Sequence, residues 1–311
     1  MPFAFGFELA SAFLHNALTQ HQPNGTRPLS SIDPTASTEP VPPALEPPKA
    51  RFDLHKRSFA SSRVILALVL REMSSTYGRS PGGYIWAILE PVGMILILSV
   101  GFSLLMRTPS LGNSFLLFYA SGYLVFSHYK LLEKSVSKSI LYSRRLLLYP
   151  AVTWFDAIIA RLVLNFLTSL MNIIIILGGI LVFSENVVVL DYPPIVAAIM
   201  LATFLGLGVG TLNCLLSGLF PIWSTVWKIA MRPLMIGSAI LYIYEDLPQA
   251  AGNVIWWNPL VHITGLFRTG VFPTYNPQYI SEAYVFGVAA VTFAFGMLFL
   301  SAYHSDIINR E

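Results

Sequence analysis

Charge is what this sequence has least of: only 11% of its 311 residues are Asp, Glu, Lys or Arg, against about 25% in an ordinary soluble domain. With 55% of the chain hydrophobic, that scarcity argues against a soluble enzyme and for membrane insertion. The one cysteine, Cys214, lies inside an apolar run, which excludes an intramolecular disulfide and a cysteine-based metal site. No GxxxxGK(S/T) phosphate loop is present, so ATP cannot be held in the P-loop manner. The HExxH and GxSxG patterns are missing as well, and the six His are dispersed, so no zinc or nucleophile constellation can be read. A net charge of +3 is too small and too scattered for a nucleic-acid partner.

Residues 1–50 differ in kind from the rest. Eight prolines fall between Pro23 and Pro48 among Ser, Thr, Asn and Glu, a mixture that cannot bury enough apolar surface to offset its ordering entropy. The expectation is a disordered Pro-rich cytoplasmic tail, with residues 51–311 forming one transmembrane domain. Residues 3–14 are apolar but have no basic residue in front of them, so a cleaved signal peptide is not expected. They read as a frayed tail or a weak surface anchor. Residues 51–73 carry five Arg or Lys around Phe59, Val64, Ile65, Leu68 and Val69, the mixture of a basic amphipathic helix at a bilayer surface.

A spanning helix needs about 20 apolar residues. Segments 84–106, 115–132, 157–183, 195–220 and 283–303 meet that length or nearly so, and 233–247 is short. The stretch 254–272 that follows is semi-apolar and is interrupted by Asn258, Pro259 and Gly265, which fits re-entrant or interfacial pieces covered by protein or water. The expected fold is all-α and integral to the membrane. It has six transmembrane helices, an N-terminal amphipathic interface helix, and short re-entrant or interfacial helices after span 5. Lys and Arg concentrate in the N-terminal region and in the connections after spans 2 and 4, leaving only Arg107 and Arg268 on the other side. By the positive-inside rule both termini are cytoplasmic.

Polar residues inside spans are costly and need a reason. Glu90, before Pro91, reads either as a gate or pathway residue or as a pairing group that also satisfies the backbone freed by the proline. Arg161 stands close enough to the end of span 3 to snorkel. Asn165 and Asn172 read as bonds to neighbouring helices, and Gly206 with Gly210 as a GxxxG packing face open to a dimer contact. His128 and His262 read as hydrogen-bonding residues, and Glu245 with Asp246 as solvated loop carboxylates or a general acid/base pair. The connection 133–155 holds Arg144, Arg145, Leu146, Leu147, Leu148, Tyr149 and Pro150, then Thr153 with Asp156 three residues on, a capping box opening span 3. A basic, apolar and aromatic loop is either a docking surface or a membrane-surface anchor.

Several of these residues carry a family likeness. The run Arg71, Glu72, Tyr77, Gly78, Arg79, Ser80, Gly83, Tyr84, Trp86, Ala87, Glu90, Pro91 resembles the start of the membrane subunits of ABC-2 type exporters for bacterial capsular polysaccharide and related glycans. Arg144 to Pro150 with Val152, Asp156, Ala160 and Arg161 is similar to the stretch before their third span. Asn258-Pro259-Leu260-Val261-His262 with Phe267-Arg268 is similar to their outer segment after span 5. The chain departs from the family where members often carry an acidic residue, at Asn165 and Gly265.

The resemblance implies a homodimeric permease of the bacterial inner membrane in capsule biogenesis, a transport subunit rather than an enzyme. It would work with a separate ABC ATP-binding subunit that holds ATP and Mg, with no cofactor or metal in this chain, and would move polysaccharide or glycolipid. Arg144, Arg145, Tyr149 and Pro150 would then be ATPase-coupling candidates. Because sugar rings stack on aromatic faces, Tyr84, Trp86, Tyr242, Tyr244, Trp256, Trp257 and Tyr275, with Glu90, become substrate-path candidates, although Trp and Tyr also populate any membrane interface. Trp256, Trp257 and Arg268 would form the outer exit, with one Trp facing the path. An ABC-2 permease for small amphiphiles and an integral-membrane glycan enzyme remain the alternative readings.

Overall fold

In lipid every backbone N–H and C=O must find its partner within the protein, which favours helices for a chain this apolar. The computed structural model describes residues 60–77, 83–147, 152–183 and 189–309, and among these every regular element is helical. In chain order they are α1 (Ala60–Tyr77), α2 (Gly83–Ser103), α3 (Phe115–Ser137), α4 (Ser139–Leu147), α5 (Trp154–Phe183), α6 (Tyr192–Leu219) and α7 (Trp223–Ile236). A single 3-10 turn at Tyr244–Asp246 then leads to α8 (Gln249–Ile255), α9 (Pro259–Val271) and α10 (Glu282–Asn309). The expected tail 1–50 and the first part of the expected basic helix lie outside the described residues.

Among the described residues, four helices are long and apolar enough to cross a membrane: α2 over Ile85–Ser103, α5, α6 and α10. The expected second span, α3, does not reach that apolarity because it carries His128, Lys130, Glu133 and Lys134. It is instead the centre of the bundle, with 17 of its 23 residues buried, packed against α2, α5, α6 and α9. His128 and Glu133 are tolerated there because protein, not lipid, surrounds them, while Lys130 and Lys134 keep exposed surface.

The expected fifth span, 233–247, is not one helix. Its first residues end α7, which starts ten residues earlier; Gly237 closes that helix, and the chain then runs irregularly to the 3-10 turn. Pro233 inside α7 removes one hydrogen-bond donor, and Ala239 adopts φ 56°, a backbone conformation that cannot continue a helix. Helix α9 has 13 residues, about 20 Å at 1.5 Å per residue. It is buried on nearly every face.

Local signals in the sequence are used as their chemistry requires. The Thr153 backbone N–H and hydroxyl both donate to Asp156 Oδ2, at 3.1 and 2.7 Å, and the Asp156 N–H donates back to Thr153 Oγ1 at 3.2 Å, so the expected capping box opens α5. In α2, Pro91 has no N–H to give the carbonyl of Ala87, one turn back. Asn172 of α5 supplies it instead, its Nδ2 donating to Ala87 O at 2.9 Å. That is the interhelical role expected of Asn172, and it relieves Glu90 of the backbone duty considered for it.

The GxxxG face of α6 is internal to one chain. A side chain on Gly206 would meet Leu132 and Tyr129 of α3, and one on Gly210 would meet Val136. The face considered for a dimer contact is thus occupied by α3. His128 bridges three helices: its Nε2–H donates to Thr203 Oγ1 at 2.9 Å, since that hydroxyl already donates to Ile199 O, and its Nδ1 accepts from Ser169 Oγ at 2.8 Å. Arg161 does not snorkel to solvent. Its Nη2 pairs with Glu72 Oε1 at 2.9 Å, fastening α1 to α5.

Candidate functional site

The sequence-derived candidates separate to the two ends of the bundle. One end, where α3, α5 and α10 meet through α4, is basic; the other, around α8 and α9, is aromatic.

At the aromatic end the segment after the broken fifth span is built by α9. Pro259 stands in the first turn of α9, and Asn258 caps that helix, its Oδ1 accepting from Leu260 N at 3.1 Å. The same side chain's Nδ2 donates to Gly237 O at 2.8 Å. Arg268, on the same helix, donates from Nη1 to Tyr242 O at 2.8 Å and from Nη2 to Ile240 O at 2.9 Å, its guanidinium lying 4.3 Å above the Phe118 ring. Three carbonyls of the irregular stretch are thereby satisfied without a helix. Gly122 lets α3 approach this point, because any Cβ there would sit about 3 Å from the Arg268 guanidinium and the Ile240 backbone.

The expected exit trio is therefore not assembled in this structure. Arg268 is only 1% exposed, committed to backbone rather than to an open surface. Trp256 and Trp257, in the turn after α8, do adjoin, with ring centroids 5.6 Å apart at 90°, and they face different surroundings. Trp256 is tucked in, stacked on Tyr284 at 5.0 Å and edge-on to His262 at 5.1 Å, its indole N–H donating to Tyr279 O at 3.2 Å. Trp257 is 69% exposed.

His262 holds this cap together as a neutral ring. Its Nε2–H donates to Trp256 O at 2.9 Å, and its Nδ1 accepts from Ser281 N at 3.2 Å. Tyr244 stacks on Tyr279 at 4.2 Å and donates to Gly252 O at 3.1 Å. Tyr275 donates to Glu245 Oε2 at 3.0 Å, so Glu245 is an acceptor in the cap rather than a free loop carboxylate. Burial raises the pKa of both the Tyr275 and Tyr279 phenols, that of Tyr279 to about 12, so they stay protonated donors. Tyr242 is half-buried beside Arg268. Sequence reasoning missed Tyr279 and Tyr284, the two rings that tie the cap together; Tyr279 lies outside the apolar runs and Tyr284 reads as the start of the last span, and only the fold brings them to Trp256 and Tyr244.

The remaining candidates lie on or near the basic end. Trp86, on α2, is 62% exposed. Glu90 reaches Lys130 of α3 at 3.8 Å, with its side chain 76% exposed, a weak pair by distance and solvation. Tyr84 starts α2, but its side chain is outside the described residues, as are Tyr149 and Pro150. Of the coupling candidates, Arg144 donates from Nε to Ile308 O at 2.7 Å, anchoring the end of α10, where a cation also suits the helix dipole. Arg145 is exposed on α4 beside exposed Leu141 and Tyr142.

Comparison with known proteins places this architecture. The ABC-2 type transporter family pattern matches residues 63–272, from α1 to the end of α9. The Polysialic acid transport protein KpsM of Escherichia coli is 29% identical over 231 residues, covering 74% of this chain and 90% of that protein. The Capsule polysaccharide export inner-membrane protein CtrC of Neisseria meningitidis serogroup A is 27% identical over 238 residues, 73% of this chain and 90% of that protein. The Capsule polysaccharide export inner-membrane protein BexB of Haemophilus influenzae is 26% identical over 222 residues, 70% of this chain and 82% of that protein.

Proposed function

The chain belongs to the ABC-2 type transporter family, and from that premise we propose that it is the membrane permease of an exporter that carries capsular or related polysaccharide out across the inner membrane. The observation that carries this reading is the similarity, over 82–90% of their length, to proteins named for polysialic acid transport and capsule polysaccharide export. The described residues hold no group of three or more His, Cys, Asp or Glu able to bind a metal, and the sequence holds no phosphate loop. In this reading the energy comes from a separate ATP-binding subunit, which binds ATP and Mg.

The permease works as a homodimer with six crossings per chain. Four are the long apolar helices, the fifth is α3 and the sixth is α7 with its irregular continuation, while α8 and α9 form a re-entrant pair. Helix α2 suits a surface facing lipid or the partner subunit, because Ile85, Trp86, Leu89, Ile97 and Val100 are exposed along it. The basic end is cytoplasmic, with α4 and Arg145 placed to receive the ATPase. The aromatic cap lies at the outer face, where Trp257 presents a stacking surface to sugar rings and Trp256, Tyr279 and Tyr284 hold it in place.

The test is removal of this chain from its host. Surface glycan should disappear while glycan accumulates inside the cell, and re-expression should restore export. Unchanged surface glycan with loss of a small amphiphile's efflux would overturn the reading in favour of the alternative ABC-2 substrate class.

A further inference from the structure

The basic end contains a cavity of about 600 Å³ between α3, α4, α5, α6 and α7, a size typical of small-ligand sites. Its charge is lopsided. Lys130, Lys134, Lys138, Arg161 and Lys228 line it, against the single carboxylate of Glu133. That carboxylate is already engaged, accepting from Asn213 Nδ2 at 2.8 Å, while Asn213 Oδ1 accepts the Trp223 indole N–H at 2.9 Å.

The lysines of α3 and its C-terminal cap are spaced at i, i+4 and i+8, which stacks them on one helical face; like charges at that spacing oppose helix formation unless something neutralises them. Neither ion pair found among the described residues includes Lys134, Lys138 or Lys228. Burial first, and then Lys134, Lys228 and Arg161, lower the Lys138 ammonium below the usual lysine range, as expected of a cation set among cations. A second observation is independent of net charge. Arg161, which lines the cavity, pairs through Nη2 with Glu72, and its guanidinium lies 4.5 Å from the centre of the Tyr142 ring; its Nε and Nη1 are buried and meet no hydrogen-bond acceptor. Buried donors without partners are rare and costly, and the residue that carries them lines the cavity. The walls also carry apolar and aromatic surface, from Leu141, Met231, Tyr142 and Trp227.

We propose that this cavity binds an anionic head group, phosphate or carboxylate, at the leading end of a lipid-linked glycan on its way into the transport path. The inference rests on the polysaccharide-export reading and adds the chemistry by which substrate is first held. An anion would neutralise the lysine stripe and lie beside the Arg161 guanidinium, and the apolar walls would take the first part of an acyl chain or a sugar face.

The experiment uses the full chain purified in detergent and three probes: dioctanoyl phosphatidylglycerol, dioctanoyl phosphatidylcholine and a soluble uronic-acid tetrasaccharide. Binding is read by calorimetry and by the shift in melting temperature. The parent should bind at least one of the two anionic probes about tenfold more tightly than phosphatidylcholine and melt several degrees higher with it. Preference for the lipid would identify a head-group phosphate, and preference for the saccharide an acidic sugar.

The Lys134→Gln, Lys138→Gln double variant should melt no lower than the parent without probe, since repulsion is relieved, and should lose about tenfold in anion affinity together with the melting shift. Arg232→Gln, on the same basic end but outside the cavity, should bind as the parent does. Equal affinity for all three probes, an unchanged double variant, or an equal loss in Arg232→Gln would overturn the proposal. In cells, normal surface glycan from the double variant would count against the cavity alone, because loss of surface glycan on removing the whole chain separately tests the export reading.

Discussion

At the residue scale, Asn172 compensates for Pro91 across two helices. If Asn172 exists to feed the carbonyl that Pro91 leaves unpaired, Asn172→Leu should destabilise the protein by about 1–3 kcal/mol. The same substitution in a Pro91→Ala background should cost much less, because the introduced alanine brings its own N–H to Ala87 O. Thermal unfolding of the four proteins measures the coupling, and equal costs in both backgrounds would break the pairing. Arg268 makes a second case: Arg268→Lys keeps the charge but cannot fork to two carbonyls, so the irregular stretch after α7 should lose folded yield as severely as with Arg268→Gln. Between the two tryptophans, Trp256→Leu should lower the melting temperature by removing the packed ring of the cap. Trp257→Leu should leave folding intact and reduce surface glycan at matched permease levels; normal export from that variant would return Trp257 to the interfacial belt.

At the scale of elements, much is legible where chemistry is local and little where it is not. Thr153 and Asp156 are three residues apart, and their capping box can be read directly; Thr153→Ala should cost about 1 kcal/mol, measurable by the same unfolding assay. The interruption at Asn258, Pro259 and Gly265 announces a broken segment, and α8 and α9 are short. Helix α3, by contrast, looks like an ordinary though polar span in sequence, and only its neighbours make it the core. The fifth span misleads by composition, since residues 233–247 are apolar enough but Gly237 and Ala239 turn the chain out of helix. Arg268, with little charge near it in sequence, looks like a surface group because the carbonyls that claim it, at Ile240 and Tyr242, lie 28 and 26 residues away. The spacing of Lys130, Lys134 and Lys138 is visible in sequence, but there it serves only to orient the chain. Helix α4 yields a prediction of its own: Arg145→Glu should weaken ATPase association while preserving the fold, whereas Arg144→Glu should also loosen the end of α10 through the lost bond to Ile308 O. Equal association for parent and Arg145→Glu would leave α4 as a lipid-facing anchor.

At the scale of the whole molecule, the two ends of the bundle differ in chemistry. One is cationic and the other aromatic, and apolar helices join them. Reporter fusions after Arg145 and after Tyr275 should report opposite sides of the membrane, the first cytoplasmic; equal sidedness would contradict the assignment of the two ends. The central claim, ATP-driven passage of a glycan through this chain, is tested most directly in inside-out membrane vesicles containing the permease and its ATP-binding subunit. Glycan presented at the exposed cytoplasmic face should become protected from an added glycan-degrading enzyme when ATP is supplied and stay degradable without it. Protection that is independent of ATP, or that persists in vesicles lacking this chain, would contradict the account.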